Sequence, residues 1–280
     1  MNVNIKNILG TIALSSMLMA SCSQQELETP KDNIKGTPIK VSVAAVDTRA
    51  GYDTPEGGEA LLPESFYLTI DQTGTEYDYS RVLMTKNEDN TYSSQSTLLW
   101  AGSEDVHVVA STFYHADAGT LCIAENQAEE FLASDHLFVS TIVKPSTSGI
   151  ELNFDHIMAK VVLNVALGEG NEAAENPITS VNVKGASHER AYTYADGLFT
   201  WGDIADEANY GYVTPLLVDY TASTATYEVV LVPQVVEAGA FTIDLTYGDN
   251  AFTWRYDKAL TLESGHRYQI NLQIDNSEAE

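Results

Sequence analysis

From residue 39 onward the chain alternates apolar and polar side chains in short runs. Ile39, Val41 and Val43 alternate with Lys40 and Ser42, the period of a half-buried strand. Runs rich in Val, Ile, Thr, Tyr and Phe between turn formers predict further strands over 66–71, 81–85, 106–113 and 137–143. A second series falls at 150–154, 160–167, 178–184, 213–220, 227–233, 241–247, 252–257 and 267–274. Residues 124–135 alone read as a helix, anchored by Phe131 and Leu132, and 168–176 read as an acidic loop. Without regular helix–strand alternation a parallel sheet is excluded. The economical architecture is all-β: two consecutive antiparallel β-sandwich domains with few short helices. The Pro-, Ser- and Gly-containing segment 143–149 marks their boundary, giving domains over 38–145 and 146–280.

The segment ELNFDHIMAKVVLNV (151–165) breaks the pattern. Leu152 and Phe154 share one face of a strand, whereas Val161, Leu163, Val165 and Leu167 share the other parity. Because a shift of one residue flips every side chain to the opposite face, a bulge or tight bend is expected within DHIMAK. His156 and Lys160 then belong to a sandwich corner, where polar side chains can bond freed backbone groups.

Residues 1–21 form a signal segment, with Lys6 as its cationic start and the apolar run Ile8–Ala20 too short for a normal membrane span. Ala20 and Ser21 precede Cys22 in a motif that resembles a bacterial lipobox. There the Cys22 thiol is diacylated and becomes the new N-terminus, anchoring the chain to a membrane by acyl chains such as palmitate. The alternative is an ordinary secretory signal with an incidental cysteine. Residues 22–37 are a polar tether, and 38–49 form the first strand of the first sandwich. That strand runs into Asp47-Thr48-Arg49-Ala50-Gly51 and then a turn-rich acidic segment, so Arg49 is expected at a strand-to-loop exit.

Charge and candidate chemistry narrow the picture. With 40 acidic and 14 basic residues the net charge is −26, which repels phosphate backbones and argues against nucleic-acid binding. With Cys22 acylated, Cys122 has no disulfide partner and is expected to pack as a small apolar residue. The six histidines show no H-E-x-x-H or Cys/His zinc spacing. Nucleophile elbows and phosphate-binding glycine loops are also missing from the sequence. The chain therefore reads as a protein without metal or cofactor and not as an enzyme. Tyr192, Tyr194, Phe199, Trp201, Tyr210 and Tyr212 cluster within 191–212. They pack at edges and loops of the second sandwich, or Trp201, Tyr210 and Tyr212 stack on sugar rings as in a surface-anchored glycan-binding lipoprotein.

The lipobox, the alternating strand ending at an arginine, the segment NFDHIMAKVVLNV, the LVPQ step at 231–234 and the closing ESGHRYQINLQI stand in one order. Together they resemble the fimbrillin-like family of Bacteroidales, subunits of type V pili. The resemblance spans nearly the whole chain and implies transthyretin-like sandwiches in a fimbrial subunit at the outer membrane and cell surface that supports adhesion. It also implies cleavage after Arg49, before Ala50, by an arginine-specific protease. The strand bearing Ile39, Val41 and Val43 then leaves, and a strand from another pilus subunit enters the groove. The alternative is that Arg49 stays uncut and the strand stays in place. Family members usually carry a C-terminal donor strand. Here Tyr268, Ile270, Leu272 and Ile274 lie on the last predicted strand, followed by Asp275-Asn276-Ser277-Glu278-Ala279-Glu280 without an apolar extension. Either that strand is the donor, or the subunit accepts a strand and donates none.

Overall fold

The computed structural model describes residues 34–44, 62–167, 176–204 and 211–274. Cys22, Arg49, Ala50 and Tyr210 lie outside these residues. The described residues are all-β apart from one short helix, and the sheets pack as β-sandwiches.

The first half contributes β1 (Val41–Val43), β2 (Ser65–Asp71), β3 (Tyr79–Lys86), β4 (Thr91–Ser93), β5 (Val106–Ser111) and β6 (Ala118–Cys122). Helix α1 (Gln127–Ser134), β7 (Leu137–Val143), β8 (Ile150–Leu152) and β9 (Asp155–His156) follow. Eight of these strands form one sheet in the order β8-β1-β4-β3-β2-β5-β7-β9. Its inward positions, with Trp100 and Phe154 from the connecting segments, build a core that includes Phe66, Leu68, Ile70, Val108 and Leu152. The sheet is bulged where β2 meets β3, between Leu68 and Ile70. There Arg81 holds a φ of 54°, with its backbone N–H donating to Thr69 Oγ1, so a side-chain acceptor replaces the interrupted ladder.

The second half contributes β10 (Ala159–Ala166), β11 (Ile178–Lys184), β12 (Glu189–Ala195), β13 (Leu198–Ile204), β14 (Tyr212–Val213) and β15 (Leu216–Tyr220). It continues with β16 (Thr224–Leu231), β17 (Gln234–Val236), β18 (Thr242–Tyr247), β19 (Asn250–Arg255), β20 (Leu260–Leu262) and β21 (Arg267–Gln273). Two four-stranded sheets, β15-β16-β10-β21 and β14-β11-β18-β19, enclose a second core around Met158, Val161, Leu163, Val229, Leu231, Phe241 and Ile243.

Several features depart from the expectations drawn from sequence. The pairing is not wholly antiparallel: β1 runs parallel to β8, and β10 runs parallel to β21. In both cases the first strand of a sandwich lies between an antiparallel neighbour (β4 or β16) and a parallel one contributed much later. The two halves thus share a connectivity that residue-level comparison does not reveal. Residues 150–154 pack into the first core, so the chain crosses between cores at DHIMAK, beyond the Pro/Ser/Gly segment. The predicted 213–220 strand is interrupted at Pro215, which cannot donate to a ladder.

The aromatic stretch is not a loop but the hairpin β12–β13, turning through Asp196 and Gly197 with φ of 51° and 80°. Two consecutive positive φ values define the tight hairpin turn that favours Asp-Gly. The hairpin joins the halves, because β12 also pairs with β6. Its aromatics meet those of the first half: Tyr192 lies 5.6 Å from Phe113, and Phe199 lies 5.2 Å from Phe138.

At the DHIMAK corner β9 ends the first sheet by pairing with β7, and β10 starts the second. The parity reversal therefore reflects a change of sheet. Both polar residues meet carboxylates there. His156 Nδ1 lies 2.8 Å from Asp135 Oδ1 just beyond α1, and Lys160 Nζ donates to Glu228 Oε2 at 3.0 Å while sitting over the Phe131 ring of α1. The same helix is held to β16 by Gln127, whose side-chain amide both donates to and accepts from the backbone of Val230. Helix α1 thus ties the corner to the second core.

Candidate strand-exchange site

The segment 34–44 is built as a strand should be if it holds one sandwich together. Its side chains alternate, so Ile39, Val41 and Val43 are buried while Lys40 is exposed, and Ile34 is buried as well. Burying each such side chain is worth about 1.5–3 kcal/mol. Its backbone is paired on both sides. On one side Ile39 N–H donates to Leu98 O at 2.8 Å, Trp100 N–H donates to Thr37 O at 3.0 Å, and Val41 pairs with Tyr92 of β4. On the other, Ile150 N–H donates to Lys40 O at 2.8 Å and Ala44 N–H to Leu152 O at 2.9 Å. Pro38, which lacks an N–H, sits in an isolated bridge with Leu99, outside the regular ladder.

β1 is therefore an interior strand, although only three residues long. Withdrawing it would leave β4 and β8 with unpaired edges, above a core that holds Phe66, Trp100 and Phe154. Unpaired edges over an apolar floor are a template for another strand. Arg49 follows β1 in the sequence, outside the described residues.

The C-terminal strand sits differently. Among the described residues β21 pairs with β10, in seamless register from Lys160↔Arg267 to Ala166↔Gln273, and stands last in its sheet. Leu272 and Ile274 are buried in the second core, and Tyr268 and Ile270 pack partly against it. All four residues thus contribute to the chain's own second sandwich.

The remaining candidate residues are not brought together. Trp201 lies half-buried on β13, 5.1 Å from Phe199 and under the Arg190 guanidinium at 5.7 Å. Tyr212 is exposed on β14, in a different sheet. Cys122 is exposed and not packed as a small apolar residue: Leu121 and Ile123 take the inward parity of β6, which turns the thiol outward. Burial and the neighbouring Glu189 carboxylate push that thiol's pKa up, the opposite of an activated nucleophile.

His115 is buried, with Nδ1 2.7 Å from Ser111 Oγ and Nε2 3.2 Å from Thr69 Oγ1. Ser111 O–H donates to Phe113 O, so its oxygen accepts from Nδ1–H. Burial and the Arg81 guanidinium lower the His115 pKa to about 4. Both the serine and the histidine are sealed in the core, which makes this a structural network. Among the described residues no group of three or more His, Cys, Asp or Glu could hold a metal ion.

A two-sandwich protein whose first described strand is an interior strand defines a class suited to assembly by strand addition. The family model described as fimbrillin-like matches residues 30–280, and the chain belongs to that family. This gives it a fimbrial role at the cell surface and sets it among proteins that are not an enzyme family. Solved structures share the fold. A candidate cell adhesion protein of Bacteroides ovatus superposes with a TM-score of 0.66 at 17% identity, covering 86% of this chain and 94% of that one. Candidate cell adhesion proteins of Bacteroides uniformis and Bacteroides thetaiotaomicron give TM-scores of 0.57 and 0.51, each at 14% identity. They cover 86% and 88% of this chain, and 95% and 99% of their own. No curated protein matches the sequence.

Proposed function

We propose that the chain is a structural subunit of a cell-surface pilus that assembles by donor-strand exchange and supports adhesion. It is exported as a lipoprotein acylated at Cys22 and held at the outer membrane, and an arginine-specific protease cuts between Arg49 and Ala50. The segment carrying Ile39, Val41 and Val43 then leaves, and a strand from another pilus subunit, of the same or a related kind, takes its place. The observation that carries this reading is the seating of β1: it is paired on both sides, buries its apolar side chains in the first core, and lies N-terminal to Arg49. An interior strand at a cuttable chain end is the element whose loss opens a groove without cutting a later connection.

The test is an Arg49→Gln variant expressed in place of the native chain. The reading expects full-length lipoprotein at the cell surface and none in sheared filaments. Normal incorporation of that variant, at native length, would overturn it.

A further inference from the structure

Residues 34–44 are held in the first sandwich in two different ways. At the end nearer Arg49, β1 lies between β4 and β8, each only three residues long. Among the described residues β8 pairs with β1 alone, so that clamp has little support of its own. The other end is a turn. Ile34 O accepts from Thr37 N–H at 3.0 Å and from Thr37 Oγ1–H at 2.7 Å. Gly36 holds a φ of 76°, the left-handed conformation that glycine takes at the third position of a turn.

The turn is seated on residues 98–101. Gly36 N–H donates to Trp100 O at 2.8 Å, Trp100 N–H to Thr37 O at 3.0 Å, and Ile39 N–H to Leu98 O at 2.8 Å. This seat is pinned from its other side, independently of the turn. Gln72 Nε2 donates to Leu99 O at 3.1 Å, and Ala101 N–H donates to Gln72 Oε1 at 2.6 Å. Leu99 N–H donates to Tyr79 Oη at 2.9 Å, and the Trp100 indole N–H to Ser146 O at 3.0 Å. Trp100 and Gln72 are buried, and Ile34 packs in the same core as Trp100. A cut after Arg49 lies outside every one of these bonds. It breaks none of them and only turns an intramolecular attachment into a bimolecular one.

We infer that the 34–37 turn and its 98–101 seat form a latch: the severed segment stays bound after cleavage and leaves only when an incoming strand displaces it, starting at Val43. The inference rests on the cleavage proposed above and adds the order of events. The Val43 end is the one nearer the cut and its clamp is short, so the incoming strand pairs with β4 or β8 there first. The turn, on its pinned seat, leaves last. Because the severed piece carries Cys22, a latched subunit is still held at the membrane through that piece. It departs only once its groove is filled, so the core around Phe66 and Phe154 stays covered throughout.

The experiment treats the full chain with an arginine-specific protease until the Arg49–Ala50 bond is cut. Both pieces are then followed by size-exclusion chromatography and intact mass, without and with excess acetyl-IKGTPIKVSVA-amide, the sequence of residues 34–44. The inference expects the piece ending at Arg49 to co-elute with the body beginning at Ala50, and its release to speed up as peptide concentration rises. In Gly36→Val the added side chain meets nothing within 4 Å but must hold a positive φ. That variant should melt cooperatively before the cut and lose the severed piece about ten-fold faster after it, and Ile34→Ser should do the same. Separation of the wild-type pieces on cutting alone, release at a rate independent of peptide concentration, or equal retention by both variants would overturn the latch and leave cleavage and exchange intact. Failure of the protease to cut at Arg49 would overturn the cleavage reading, and the latch with it.

Discussion

Gly149 packs so tightly against Lys40 that a Cβ on it would lie 2.2 Å from the Lys40 carbonyl oxygen. That oxygen is the acceptor for Ile150 N–H at 2.8 Å, the first bond of the parallel β1–β8 ladder. Gly149 also holds a φ of 91°, which L residues rarely adopt. The seating of the N-terminal strand against β8 thus depends on one residue without a side chain.

Gly149→Ala is therefore expected to destabilise the protein by about 2 kcal/mol or more, from strain and steric conflict together. The loss should appear as a lower denaturant midpoint and as faster amide exchange in 39–43 than in the second sandwich. Equal exchange in both regions would show that Gly149 has no special relation to β1.

Acid should weaken the fold in a defined window. Burial, with the Arg81 charge beside it, lowers His115 from 6.5 to about 4 in the folded state, and burial holds His136 and His188 below their usual value too. Between these limits the unfolded chain binds more protons than the folded one, so stability rises with pH. The contribution is complete above about pH 6.5 and is lost as pH falls toward 4. Thermal melts of wild type and His115→Gln across this range should show a shallower slope for the variant.

The buried Lys160–Glu228 pair gives a third test. Removing one member takes a 3.0 Å opposite charge from the other inside the core, so Glu228→Gln and Lys160→Met are each expected to cost about 3–5 kcal/mol. The double variant Lys160→Met/Glu228→Leu should recover much of that loss, because neither charge remains. Additive losses in equilibrium unfolding would contradict this account of the corner.

The hairpin turn supplies a fourth. A Cβ on Gly197 would come within 2.5 Å of His107 Cε1, and the residue has a φ of 80°. Ser140 O–H donates to Gly197 O at 2.7 Å, so the turn is docked on the first half. Gly197→Ala should cost about 1–3 kcal/mol and raise exchange in the hairpin β12–β13 ahead of β10 and β16. Uniform behaviour would show that the docking carries little energy.

What could be read in the sequence follows from how local each feature is. Strands such as Leu137–Val143 and Ile178–Lys184 are legible because β-branched residues recur with period two between turn formers. The hairpin β12–β13 was obscured because Tyr, Phe, Trp and Arg carry its alternation, yet Asp196-Gly197 between two aromatic runs is the turn signal that finds it. Strands of three residues, such as Thr91–Ser93 and Leu260–Leu262, are too short for periodicity to register. The parallel β1–β8 and β10–β21 pairs join distant segments and leave no local trace. For the candidate site, the alternation of Ile39, Val41 and Val43 was legible, but β1 as an interior strand between β4 and β8 depends on those distant pairings.

The central claim is that the segment bearing β1 is removed and replaced. It is tested most directly by N-terminal sequencing of this chain recovered from sheared surface filaments. The account predicts a start at Ala50. A start at Cys22 on the filament-borne chain, or the absence of the chain from filaments, would contradict it.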